Sequence, residues 1–248
     1  MMKAFRAMLD TELKLSLRGM DMLIFALCMP VVIMVILGIL YGSKPAFPGA
    51  EYTFVAQSFG AVAAIAICAG GVMGLPLVVA DYRQKRILKR LQVTPTSPAL
   101  ILVVQTVVYA IYAAVSLLLV YGTAHIFFQY RLEGSWIRFA GAYLLVMLSM
   151  FSIGMLVGGT ARDMKTAGIF ASVLYFPMLI FSGATLPYEV MPAALQRIAD
   201  LMPLTQGIKL LKAASLGYPS GDVWISVTVL CGVAVLCSLF ALRFFKWE

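Results

Sequence analysis

Apolar residues recur every three or four positions at the start of the chain, at Met2, Phe5, Leu9, Leu13 and Leu17, while Lys3, Asp10, Lys14 and Arg18 occupy another face. That spacing predicts an amphipathic helix over residues 2–18. Lying flat on a bilayer, it buries its stripe and leaves the lysines near anionic headgroups. Packing on a protein partner is the alternative. The pattern then changes to uncharged runs, at about Met22–Tyr41, Tyr52–Val79, Leu100–Phe127, Phe139–Gly159, Thr166–Leu186 and Val223–Leu242. Each meets the roughly 20 residues that cross a hydrocarbon core, and the second and third have length to spare for tilt or protrusion. The expected fold is all-α: an interfacial helix followed by six transmembrane helices in one domain, residues 1–248. The first run is about twice the length of a secretory signal core, and no small-residue cleavage site follows it, so it reads as a retained anchor.

Residues 184–210 depart from both patterns. Pro187, Pro192 and Pro203 interrupt them, and Ala193–Leu201 sets Ala194, Leu195, Ile198 and Leu201 on one side and Gln196, Arg197 and Asp200 elsewhere. One or two short re-entrant helices fit, too short to cross. Irregular backbone at membrane depth is tolerated only against protein or a cavity. The segment is either a lid over a path or an interfacial anchor for the last span. Within the spans, Pro30, Pro76 and Pro177 each remove a helix hydrogen bond and predict kinks. The pairs Gly70/Gly74 and Gly154/Gly158 predict close helix approach.

Charge changes the picture at one place. Among 248 residues that are 62% hydrophobic and 12% charged, Ala80–Ala99 is a basic island containing Arg83, Lys85, Arg86, Lys89 and Arg90. Ile87, Leu88 and Leu91 give it an apolar edge if it is helical, suited to a membrane surface or a protein cleft. Thr94-Pro95 and Ser97-Pro98 each place a capping hydroxyl before a proline and predict a fresh helix start. With the N-terminus inside, thirteen of the nineteen basic residues fall on inner segments and six on outer ones. The positive-inside rule therefore puts both termini and the island in the cytoplasm of a multi-pass plasma (inner) membrane protein.

Composition excludes more than it assigns. The mean hydropathy is +0.96, and ordinary soluble domains carry about twice this share of charge. Cys28, Cys68, Cys231 and Cys237 lie in apolar runs without metal or redox spacing and read as small buried residues. His125 is the single histidine, near an interface, which argues against histidine triads and multi-histidine metal sites. No G-x-x-x-x-G-K-[ST] stretch is present, so ATP hydrolysis by that route needs another chain. No acidic residue in the loops at either face, from Asp10 and Asp81 to Asp163 and Asp200, falls in mid-span, against the ion coupling of a secondary transporter. Nothing points to nucleic acid.

Three features in register resemble the permease subunits of type-2 ABC exporters. These are the amphipathic helix before the first span, Leu88–Pro95 (LKRLQVTP) after the second, and Phe181–Pro187 (FSGATLP) followed by Met202–Thr205 (MPLT) after the fifth. The last two are similar to that family's L-x-R-L-x-x-T-P, F-x-S-G-x-x-x-P and N-P-L-T signatures. The chain departs from the family at Tyr82, Gln84 and Arg86, where acidic residues and a glycine are common, and at Met202, where asparagine is. The resemblance implies a coupling helix, with Arg83, Lys85, Arg86, Ile87, Leu88, Lys89, Arg90, Leu91, Thr94 and Pro95 docking on two copies of a cytoplasmic ATPase that bind the ATP and Mg. This chain itself holds no cofactor or metal. It also implies a homodimer, or a pair with a related permease, whose first and fifth spans meet across the pore. Ser182, Gly183, Pro187, Pro203, Leu204 and Thr205 become an outer gate. The uncharged interior, with Phe54, Phe59, Tyr175, Phe176, Met178 and Phe181 as candidate path residues, favours amphiphilic or hydrophobic cargo, drug-like or lipid-like. Aromatic rings also suit sugars, so polysaccharide or a lipid-linked glycan is the second expectation, and a non-transporting membrane assembly the third.

Overall fold

The computed structural model describes residues 2–18, 24–42, 44–46, 49–50, 52–87, 98–182, 188, 191–217 and 223–244. Regular structure among them is helical, apart from one antiparallel bridge between Pro45 and Thr53. The protein is an all-α membrane protein. Helix α1 (Met2–Arg18) is followed by a π-helical turn, Ile24–Cys28, that runs into α2 (Met29–Tyr41). The second long helix is built from α3 (Phe54–Cys68), a π-helical turn at Ala69–Gly74, and α4 (Leu75–Gln84). Then come α5 (Pro98–Phe128), α6 (Trp136–Thr160), α7 (Met164–Phe181), the short α8 (Ala193–Asp200) and α9 (Pro203–Leu216), and α10 (Val223–Phe244).

Among the described residues, five helices have the length and apolar character to cross a bilayer: Phe54–Gln84, Leu100–Phe128, Trp136–Thr160, Met164–Phe181 and Val223–Arg243. They match the expected second to sixth runs with shifted ends. The first run differs, because Ala26–Tyr41 is a shorter apolar helix and residues 22–23 lie outside the described residues. At 1.5 Å per residue, α5 with its 31 residues is about 46 Å long, well beyond a hydrocarbon core of about 30 Å. Its surplus gives α1 something to lean on. Phe5, Met8, Leu9 and Leu13 pack against Val104, Val108 and Tyr112 of α5, with Ala26 beside them. The stripe predicted on α1 thus meets the chain's own α5. Leu17, assigned to that stripe, is instead 55% exposed.

Each π-helical turn ends two residues before a proline, Cys28 before Pro30 and Gly74 before Pro76. Proline lacks the donor for the carbonyl four residues back and clashes with it, and a widened turn absorbs both defects. Pro177 sits inside α7 without interrupting it. The Ala69–Gly74 turn also brings two backbones together. A Cβ on Gly154 of α6 would overlap the Gly71 carbonyl oxygen, and one on Gly158 would stand 3.0 Å from Pro76 Cα. A Cβ on Gly74 would come within 2.5 Å of the Tyr109 ring. Both predicted glycine pairs mark real crossings, with Gly71 rather than Gly70 at the closest point.

α9 fills the interior between α3, α6 and α10. Its direction follows from three contacts: Gly207 faces Val146, Gly60 faces Leu211 and Lys212, and the Gly134 amide donates to the Ser215 carbonyl at 2.9 Å. α9 therefore starts well down α6 and climbs antiparallel to it, ending beside the loop that precedes α6. Gly217 closes it with φ +74°, the left-handed cap that glycine adopts without strain. Phe59, Phe139, Met150, Leu204, Leu211 and Leu230 are completely buried in this core. α7 and α10 show wide apolar faces, including Ile169, Val173, Leu239 and Leu242. Cys28, in the Ile24–Cys28 turn, and Cys231, on α10, are exposed, Cys237 is half-buried and only Cys68 is enclosed. The expectation of four buried cysteines is corrected accordingly, since an apolar residue in a membrane helix faces lipid as readily as protein.

Candidate functional site

The basic island leaves the second long helix through three consecutive residues, and each side chain reaches a different part of the bundle. The Tyr82 hydroxyl donates to Glu12 Oε2 on α1, while Gln105 Nε2 of α5 donates to the same carboxylate at 2.7 Å and to the Tyr82 oxygen at 3.0 Å. Arg83 is 7% exposed, with its guanidinium turned onto the last turn of α6. There Nη1 donates to the Gly158 carbonyl at 3.1 Å and also to that of Ala161, and Nη2 donates to Gly159 at 3.1 Å. Those carbonyls have no helical partner of their own, and a cation there also meets the negative end of the helix dipole. Gln84 Oε1 accepts from the Met164 amide at 3.3 Å, at the opening of α7. Residues 82–84 therefore fasten the end of α4 to α1, α5, α6 and α7 together.

The α6–α7 turn that Arg83 and Gln84 grip is itself capped. Asp163 Oδ1 accepts from the Thr166 amide at 2.7 Å. That hydrogen bond, with one from the Thr166 hydroxyl, holds the Asp163 carboxyl below the usual carboxylate range. Beyond Gln84 the helix stops. Lys85 pairs with Asp81 at 2.7 Å on the surface, and Arg86 adopts φ +56°, a left-handed conformation that glycine takes at least cost. The basic segment is thus no simple extension of α4. Ile87 is half-buried. Leu88, Lys89, Arg90, Leu91, Thr94 and Pro95 lie outside the described residues.

A second polar cluster holds α8 to α9. Lys209 Nζ pairs with Asp200 Oδ1 at 2.6 Å and sits 3.9 Å from the centre of the Tyr188 ring. The Tyr188 hydroxyl donates to Asp200 Oδ2 at 3.0 Å, and Gln206 Nε2 donates to the Asp200 carbonyl at 2.7 Å. Ser226 of α10 donates to Gln206 Oε1 at 2.8 Å. Among the expected gate residues, Ser182 caps α7 and donates to the Leu179 carbonyl at 2.8 Å. The Thr205 hydroxyl donates to the Phe181 carbonyl at 3.3 Å. Pro203 opens α9, where its missing N–H costs nothing. Leu204 and Thr205 are fully buried. Gly183 and Pro187 lie outside the described residues. On α8, Ala199 is enclosed, whereas Ile198 and Leu201 are exposed at 42% and 78%.

The expected path residues do not share one surface. Phe59 is wholly enclosed, its ring 4.9 Å from Tyr130 and 5.4 Å from Phe139. Phe54 packs on Tyr41 at 4.7 Å. Tyr175 and Phe181 are half-buried, Met178 is buried, and Phe176 is 52% exposed. His125 contacts the Tyr130 carbonyl at 2.9 Å and stacks on Tyr121.

Glu12 and Gln105 were not foreseen as partners of the island. The available signals were a lone carboxylate inside the α1 stripe and a lone amide inside an apolar run, each of which asks for a partner when buried. Spacing could not say that the two would share Tyr82.

A family model described as ABC-2 type transporter matches residues 3–216. The chain is 35% identical over 92 residues to Nodulation protein J of Neorhizobium galegae, a stretch covering 37% of this chain and 35% of that protein. It is 34% identical over 84 residues to Nodulation protein J of Rhizobium leguminosarum bv. viciae, covering 34% and 32%. It is 33% identical over 82 residues to Inner membrane transport permease YhhJ of Escherichia coli (strain K12), covering 33% and 22%. The aligned stretches span about a third or less of these relatives.

Proposed function

The chain belongs to the ABC-2 type transporter family, and from that premise we propose that it is the inner-membrane permease of an ATP-driven exporter, worked by a separate ATPase through residues 80–99. The observation that carries this reading is the three-way fastening at Tyr82, Arg83 and Gln84. A load applied to the segment after Gln84 has rigid connections to α1, α5 and the α6–α7 turn, so displacement there moves several spans at once. The basic side chains and the apolar edge at Ile87, Leu88 and Leu91 supply charge pairing and packing for a cleft on the ATPase. Both termini and this segment face the cytoplasm, by the charge asymmetry of the loops. Two copies of the permease, each with an ATPase that binds ATP and Mg, enclose the path between them. The exposed faces of α2 and α7 suit that pairing.

The cargo is hydrophobic or amphiphilic, drug-like or lipid-like, because the apolar interior offers few fixed charges to an ion. The aromatic content favours a glycan or lipid-linked glycan as the second reading. Arg90→Glu and Leu91→Asp test the assignment. Both variants should insert normally yet lose the co-purified ATPase and transport into inverted vesicles. Unchanged ATPase recovery with unchanged transport in both would refute docking through this segment.

A further inference from the structure

A cavity of about 490 Å³ opens between α6, α9 and α10, lined by Ala142, Leu145, Leu210, Ala213, Val223 and Val227, with Ser135 and Arg138 at one end. We propose that it is a binding site for a single anionic phospholipid, with the phosphate at Arg138 and one acyl chain between the three helices.

The dimensions fit one leaflet. From Trp136, where α6 begins, to Leu145 is nine residues, about 14 Å along the helix, close to half of a hydrocarbon core of about 30 Å. The cavity therefore starts at the level where α6 and α10 begin and ends near mid-bilayer. Trp136 and Trp224 flank that upper level, exposed at 52% and 79%, as interfacial tryptophans are at the depth of lipid headgroups.

The charge fits an anion. Arg138 is exposed and stands in the first turn of α6, where no acidic residue balances it. A helix start carries partial positive charge and favours carboxylates, so a cation there is unfavourable until an anion arrives. Ser135 precedes the helix without making a side-chain cap. Among the described residues, no carboxylate forms a salt bridge with Arg138. A phosphate oxygen pair matches the guanidinium fork, and an acyl chain matches the apolar walls below. Zwitterionic lipid would bring its own cation to the same place and lose most of that gain.

Native mass spectrometry of the purified permease after exchange into dioleoylphosphatidylglycerol or dioleoylphosphatidylcholine tests this. One phosphatidylglycerol per chain should survive activation, with at least roughly tenfold preference over phosphatidylcholine, about 1.4 kcal/mol. Arg138→Ala should abolish the preference, and Arg138→Lys should keep part of it. Val227→Trp, which fills the cavity from α10, should remove retention of both lipids. Equal retention of the two lipids, or an Arg138→Ala variant indistinguishable from the parent, would overturn the proposal. So would a Val227→Trp variant that changes the oligomeric mass rather than the lipid count, because the groove would then hold a second copy. If Val227→Trp aggregates, the Arg138 pair decides alone.

Discussion

A guanidinium almost wholly withdrawn from water must be paid for by the bonds it makes. Arg83 meets that condition through the carbonyls of Gly158, Gly159 and Ala161. In the sequence Arg83 is one of five basic residues in the island, beside Lys85 and Arg86. The structure separates them by direction, with Arg83 turned inward and Lys85 outward with 64% of its side chain exposed. Lys85 with Asp81 is a surface pair of small worth. Arg83→Met keeps the length and removes every donor, leaving carbonyls at the α6 terminus unsatisfied. The expected loss is about 1.5–3 kcal/mol, the range for hydrogen bonds to a charged group. It is read as a lowered thermal midpoint in detergent, partly restored by Arg83→Lys. A midpoint equal to the parent would mean that the cap contributes nothing.

At the scale of elements, the crossing of α6 over the Ala69–Gly74 turn sets a strict steric demand. The Gly154 Cα faces the Gly71 carbonyl without room for a methyl group, so Gly154→Ala must force the helices apart. Overpacking of this kind costs about 1–3 kcal/mol, and Gly154→Val should cost more. Gly122 and Gly232 have open space around them and serve as controls. Alanine at either should be neutral or stabilise by about 0.4–1 kcal/mol. Thermal midpoints of the four variants check the contrast, and a Gly154→Ala protein as stable as the controls would remove the close approach. This crossing was half legible in the sequence. Glycines four apart announced that some backbone would come near. The proline two residues after each π-helical turn announced a local defect, though not that the turn would supply the contact surface. The second to sixth runs were legible because length and hydropathy decide them, whereas the first, Ala26–Tyr41, is a shorter helix than its run suggested. Which faces meet protein and which meet lipid was not, because both are apolar: the enclosed Phe59 and the exposed Phe176 look alike in a one-dimensional pattern. Polar residues within apolar runs were the better guide. Gln105 and Ser226 both found partners inside the bundle.

For the whole molecule, the proposed function requires that force entering at one loop reach spans that do not touch it. The bundle has short polar links at the loop and a second polar cluster, centred on Asp200 and Lys209, where α8 meets α9. Between them lie tightly packed apolar helices, and close-packed interiors are barely compressible and transmit strain. Of the links at the island end, the one through Tyr82 is the most separable from folding, because its ring can be kept while its hydroxyl is removed. Tyr82→Phe leaves Glu12 with Gln105 alone, and Glu12→Gln removes the negative charge but keeps a similar shape. Under the proposed function, each variant should still bind the ATPase and hydrolyse ATP in proteoliposomes. Transport per ATP should fall by about fivefold, equivalent to roughly 1 kcal/mol, the worth of one such hydrogen bond. The double variant should be no worse than either single one, since all three groups serve one junction. Unchanged coupling in both single variants would show that α1 follows the motion without carrying it. Additive losses in the double variant would show two separate routes, and the fastening at Arg83 and Gln84 would then become the place to cut next.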